Sequence, residues 1–258
     1  MTLAAILAAT ATPVAAQTGV AIAPLRTFKV ELDGGLSEWE ELPAITFDSS
    51  SYLLTAASLY EGNADLSGTV RFTWDTTHLY VAGRFADDSV ARGAAWTSDR
   101  VNLVFDLRND NHPLSYGGQP PDAARWQADD HWVYAHIFGD GDPPYPVMRM
   151  SYDYHGPIKG ARLLSTRRAD GWAFELQVPW SELPEAQPFV GAVLGMQVFV
   201  SDGDGLPLLT EVMWSERWGY SLDAGLSWEL WKMGELVLTG EALTGGARCD
   251  RNLSDRVR

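Results

Sequence analysis

Short runs of alternating apolar and polar residues recur along the 258-residue chain. In GTVRFTWD (68–75), Val70, Phe72 and Trp74 share one side. After a turn at Asp75-Thr76-Thr77, HLYVAGRF (78–85) alternates again through Leu79, Val81 and Phe85, which predicts a hairpin. Similar strand signals occupy 27–34, 99–107, 131–138, 147–153, 160–167, 171–178, 193–201, 210–214 and 234–239, separated by Gly, Pro, Asp and Asn. Helix signals are confined to SEWEEL (37–42) and PWSELPE (179–185), one or two turns each, with Pro184 ending the second. No stretch sustains a 3.6-residue period. The pattern predicts an all-β, antiparallel β-sandwich of ten or more strands with one or two short helices.

Alternation also assigns faces. If Val101, Leu103 and Phe105 face the core, Asn102 and Val104 face away from it. On HWVYAHIF, Val133, Ala135 and Ile137 go inward, while Trp132, Tyr134 and His136 share the opposite face. On GMQVFVSD, Met196, Val198 and Val200 go inward, and Gln197, Phe199 and Ser201 join that opposite face. Trp96 precedes the 99–107 strand in a loop of Gly, Ala, Thr and Ser that offers it little to pack on. An indole at the mouth of a strand, ahead of a polar face, suits a ligand platform better than a core plug.

Composition sharpens this picture. The chain holds eleven Trp, against roughly three or four at average usage, more than one core needs. Net charge is −15. Clustered Lys and Arg bind phosphate backbones, so nucleic acid and anionic membranes are poor candidates as partners. The single cysteine, Cys249, excludes an intrachain disulfide and has no neighbours at metal spacing. MTLAAILAATATPVAAQ is apolar and ends in small residues before Gln17, which predicts a signal peptide over 1–16, although no basic residue precedes the apolar run. Secretion or periplasmic export is the expectation, with no membrane insertion. A linker is expected over 17–27, a sandwich over 28–240 and a loose polar tail over 241–258.

The order of features resembles the family 9 carbohydrate-binding modules and, more broadly, DOMON-like sandwiches. VELDGGLSEWEEL (30–42), TVRFTWDTTHLYVAGRFADDSV (69–90), WTSDRVNLVFDLRND (96–110), GWAFELQVPWSEL (171–183) and VLGMQVFVSDGDG (193–205) carry the likeness. It includes Asp33-Gly34 followed by Trp39, Trp74-Asp75, Leu79-Tyr80-Val81, Asp99-x-Val101 with Asp106, and Gly234-Glu235-Leu236. The resemblance implies a jelly-roll-like sandwich holding a sugar end between two tryptophans, matched here by Trp96 and Trp228. Neighbouring strands would then supply groups for the hydroxyls. The matching positions Asn102, Tyr134, His136 and Phe199 carry charged or amide residues in the family. Here two are aromatic and one is His, which changes the chemistry of the slot. Gln197 completes the carbohydrate-binding set.

No catalytic residue is assigned. A glycosidase needs two carboxylates across the scissile bond. Glu175, on the non-core face of its strand, is the best single candidate and has no identifiable mate. No Gly-x-Ser-x-Gly, His-Glu-x-x-His or Walker-type loop occurs. Acidic clusters at Asp106–Asp110, Asp129-Asp130, Asp140 with Asp142, and Asp202 with Asp204 raise a calcium reading, but none fits a twelve-residue EF-hand loop. No cofactor is required; structural calcium is implied by the resemblance, with its ligands unassigned. The leading expectation is an exported, non-catalytic sugar- or polysaccharide-binding protein, with a glycoside hydrolase as the implied partner. Two alternatives stand beside it. One is a haem-binding electron-transfer domain using residues among Met148, Met150, Met196, His131 and His136. The other is a structural sandwich whose sugar site has decayed.

Overall fold

Trp74 and Leu79 face each other across the turn that the alternation predicts, and the two strands they close form the middle of a sheet. The structure, a computed structural model, describes residues 19–49, 51–55, 59–91, 98–110, 127–138, 147–151, 154–204, 210–215 and 233–240. In chain order the strands are Val20–Pro24 (β1), Ala44–Phe47 (β2), Tyr52–Thr55 (β3), Leu66–Trp74 (β4), His78–Asp87 (β5), Arg100–Asp106 (β6), Asp130–His136 (β7), Val147–Ser151 (β8), His155–Pro157 (β9), Arg162–Arg168 (β10), Gly171–Pro179 (β11), Val193–Asp202 (β12), Thr210–Met213 (β13) and Gly234–Thr239 (β14). Single 3-10 turns cover Ser37–Trp39 and Trp180–Glu182, where the two helix signals lie. Among the described residues, no helix is long and apolar enough to cross a membrane.

The strands form two sheets. The larger runs β1-β14-β12-β6-β7-β8-β9, with β13 attached to β12 and β3 to β13. The smaller runs β10-β11-β5-β4-β2. Val101, Leu103, Phe105, Val133, Met196 and Val198 of the larger sheet meet Val70, Phe72, Phe85, Trp172 and Phe174 of the smaller in one core. Phe85 stacks on Trp172 with ring centroids 4.5 Å apart. The inward and outward assignments made from alternation on β6, β7 and β12 agree with this core.

Two stretches differ from expectation. Residues 27–34 are not a strand. They begin a segment that crosses the outer face of the smaller sheet, where Phe28, Val30, Leu36, Trp39 and Leu42 pack on Tyr80 and Ala82. Burial against that face, rather than ladder hydrogen bonding, accounts for their apolar pattern. The expected linker contains β1, which pairs with β14 in parallel and makes the larger sheet mixed rather than purely antiparallel. A Cβ at Gly234 would run into the carbonyl of Gly19 and the indole of Trp214, so glycine there permits the close approach.

Glu175 anchors the crossing segment. Its carboxylate accepts the backbone N–H of Asp33 (3.0 Å) and Gly34 (2.7 Å) and the indole N–H of Trp39 (3.4 Å). Burial pushes its carboxyl upward despite these donors. The best carboxylate for catalysis in the sequence is therefore committed to holding the Asp-Gly and Trp elements onto the sheet. Glu175→Ala should cost about 2–3 kcal/mol of unfolding free energy in urea denaturation, and Glu175→Gln less, because charged hydrogen bonds to otherwise orphaned donors are lost.

Candidate functional site

Strands β6 and β7 are buried along their whole length, so both of their faces are covered. Their outward side chains must find partners in one another. Register places them in rows. His136, Arg100, Ser201 and Glu211 form one row across β7, β6, β12 and β13. Met148, Tyr134, Asn102, Phe199 and Met213 form the next, and Met150, Trp132, Val104 and Gln197 the third. Five of the sequence-assigned residues, Asn102, Tyr134, His136, Gln197 and Phe199, thus come together on one face. Trp96 and Trp228 lie outside the described residues.

The floor of this face is apolar. Val104, Trp132, Tyr134, Phe199 and Met213 make a second hydrophobic cluster, flanked by Met148, Met150 and Met233. Trp132 lies 5.4 Å from Tyr134 and 5.9 Å from Phe199 between ring centroids. Polar groups set into this floor are tied to each other. The Asn102 amide donates to the Phe199 carbonyl (3.3 Å) and to Ser201 Oγ (3.0 Å), and its oxygen accepts the Trp132 indole N–H (3.1 Å). Ser201 donates to Glu211 (3.1 Å), and Arg100 Nη2 donates to Ser201 (3.3 Å) and lies 3.9 Å from Glu211. Gln197 is satisfied by Ser215 and by backbone N–H groups of Val198 and Ser215, which fastens the end of β13. The Tyr134 hydroxyl is 2.6 Å from Nε2 of His155.

His136 differs from its neighbours. It is 3% exposed, and neither ring nitrogen has a hydrogen-bond partner among the described residues. Its ring meets Tyr134 edge-on at 5.5 Å. Burial, reinforced by the Arg100 charge, pulls its pKa down to about 4, so it is a neutral imidazole at pH 7, one nitrogen donor and one acceptor. Arg100 and Glu211 were not singled out in the sequence; the signal for Arg100 was its phase with Asn102 on β6. Of the haem-ligand candidates, Met196 is in the core, and His131 lies against Pro184 and Arg149, away from His136's face.

Acidic residues gather elsewhere. Asp87 of the smaller sheet meets Asp99 and Asp202 of the larger, one carboxylate oxygen from each lying within 4.8 Å of the others. Asp65, Asp88 and Asp204 form a second triad by the same measure, and Asp106, Asp110 and Asp129 a third. Asp99 accepts N–H groups of Ala91 (2.9 Å) and Gly203 (3.0 Å), and Asp87 accepts the Trp172 indole (2.7 Å). Both oxygens of buried Asp202 lack a partner among the described residues. Burial and the adjoining carboxylates raise Asp202 to about 9 and Asp99 to about 7. An all-oxygen, buried donor set of this kind fits a hard cation such as calcium.

A family model described as "Carbohydrate family 9 binding domain-like" matches residues 37–241. The chain belongs to that family. Among solved structures, a family 9 carbohydrate-binding module from Caldicellulosiruptor kristjanssonii in complex with cellotriose is similar at TM-score 0.60 and 14% identity, covering 89% of this chain and 98% of that one. A module of this family from the same organism, in complex with glucose, is similar at TM-score 0.58 and 15% identity, covering 88% and 100%. No curated protein matches the chain in sequence.

The buried imidazole has a thermodynamic consequence. In the unfolded chain a histidine titrates near 6.5, and in the fold His136 titrates near 4. Between these values the unfolded state binds the extra proton, so the contribution of His136 to stability falls as pH drops through that window. The difference in unfolding free energy between wild type and His136→Gln, measured by urea denaturation, should shrink from pH 7 to pH 4. A difference independent of pH would contradict the neutral buried imidazole.

Proposed function

We propose that the protein is an exported, non-catalytic carbohydrate-binding module that receives a sugar at the outer face of β6, β7 and β12. The observation that carries this reading is His136. A buried, neutral, unsatisfied imidazole beside a fixed Arg100–Ser201–Glu211 network offers a donor and an acceptor to hydroxyls. The aromatic floor of Trp132, Tyr134 and Phe199 gives the slot its rigidity. Trp96 and Trp228 would supply the indole plates, since the C–H face of a pyranose buries well on an indole. Binding of cellotriose and glucose by the two similar modules supports a glucose-based ligand.

Non-catalytic action is supported by the engagements of the carboxylates. Glu175 is bound by three N–H donors, and Glu211 is bound by Ser201 and Arg100. In this proposal Asn102 and Gln197 position the strands of the slot, and His136 and Arg100 meet the ligand. A glycoside hydrolase acting on the same polysaccharide is the natural partner of such a module.

Titration with cellotriose should quench tryptophan fluorescence. Trp96→Ala should weaken binding by about 1–3 kcal/mol, the cost of losing one large aromatic contact. Absence of binding to cellotriose, glucose and a broad glycan array would overturn the proposal; unchanged affinity in the variant would remove Trp96 from the slot.

A further inference from the structure

We propose that Met148, Met150 and His155 bind a soft monovalent metal ion, copper(I), at the β8–β9 edge of the larger sheet, beside the indole of Trp132. The site is independent of the sugar-binding reading.

Methionine is distributed unevenly in this protein. Met148, Met150, Met213 and Met233, four of the chain's six, belong to or pack against the small apolar cluster on the outer face of the larger sheet. The much larger core between the sheets holds only Met196 among its buried residues. Met148 and Met150 are two residues apart on β8, so their side chains leave the strand on the same side. Both are half-buried and rest against the cluster that contains Trp132 and Tyr134.

Register brings an imidazole to the same place. Met148 lies opposite Tyr134 of β7, and Met150 lies between Trp132 of β7 and His155 of β9. Residues directly opposite one another share a face. The Tyr134 hydroxyl and His155 Nε2 are 2.6 Å apart, a contact that crosses β8 diagonally between the positions of Met148 and Met150. With Nε2 protonated, the ring donates to the phenol oxygen and Nδ1 keeps its lone pair, as in metal-ligating histidines held by a second partner. His155 is exposed on β9, which ends the sheet, so an ion can reach it from solvent.

The donor set selects the ion. Two thioethers and an imidazole are soft, neutral ligands, a combination that suits copper(I). Hard divalent cations need oxygen ligands, and the rows of Met148 and Met150 across β7, β6 and β12 carry no charged side chain. Zinc draws on thiolate, imidazole and carboxylate rather than thioether. The Trp132 indole adds a π system that attracts a cation.

The test uses the full chain carrying Cys249→Ser, so that no thiol competes, titrated with copper(I) in the absence of oxygen against a chromogenic copper(I) chelator. One ion should bind per chain. In protein isotope-labelled at the methionine methyls, one equivalent should shift the Met148 and Met150 signals and leave that of core Met196 in place. Met148→Leu combined with Met150→Leu, which nearly conserves volume, should weaken binding about a hundredfold, and His155→Gln should do the same; Tyr134→Phe, which removes only the partner of the imidazole, should weaken it about tenfold. No binding, binding that leaves both methyl signals unmoved, or affinity retained in the leucine variant overturns the proposal. Zinc(II) held more tightly than copper(I) at these residues overturns the assignment to a soft monovalent ion. If the leucine variant does not fold, the methyl shifts of the chain that retains both methionines still decide between the outcomes.

Discussion

A polar side chain taken out of water must be given a partner, and that constraint shapes the larger sheet. Its central strands β6 and β7 are buried on both faces. The core face solves the problem by being apolar. The outer face does not, because it carries Arg100, Asn102, Gln197, Ser201 and Glu211 among aromatic rings. These groups satisfy one another through donors and acceptors aligned by strand register, as unpaired burial would cost each of them 1–3 kcal/mol or about that. The result is a rigid polar row on an aromatic floor, with one imidazole in it that the described residues leave unsatisfied. Preorganisation of this sort costs stability in the free protein and is recovered when a ligand completes the hydrogen bonds.

The same constraint separates groups that look alike in sequence. Glu175 and Asp202 are both buried acids. The first is surrounded by N–H donors and pins the 28–42 segment to the smaller sheet. The second has no donor among the described residues and faces two other carboxylates. Glu175 is thus explained by the fold, whereas among the described residues no hydrogen bond compensates Asp202. Trp39, Trp74, Trp172, Trp180 and Trp214 are buried, which accounts for part of the tryptophan excess. Trp132 belongs to the floor of the outer face.

Period-2 alternation made most of the sandwich legible. It located β4 to β8 and β10 to β14 and assigned the faces of β6, β7 and β12, because a half-turn per residue leaves no freedom once the core side is known. It missed β1, β2, β3 and β9, three to five residues long, where so few positions leave a period little room to show. It mistook 27–34 for a strand, since a coil laid on an apolar sheet face needs the same spacing of apolar residues. Five of the candidate site residues were legible as positions on one face. Which of them are engaged and which is unsatisfied was not, because that depends on cross-strand partners such as Glu211 and Ser215, far away in sequence. The Asp87–Asp99–Asp202 triad was hidden for the same reason: it joins two sheets.

The central claim is that the outer face of β6, β7 and β12 is where a sugar is received. The most direct measurement is NMR of the His136 ring nitrogens during titration with cellotriose. The account predicts that both nitrogens shift as one accepts and the other donates a hydrogen bond, with the Arg100 guanidinium signal moving alongside. Saturable binding with the His136 and Arg100 signals unmoved would place the sugar elsewhere and contradict the account.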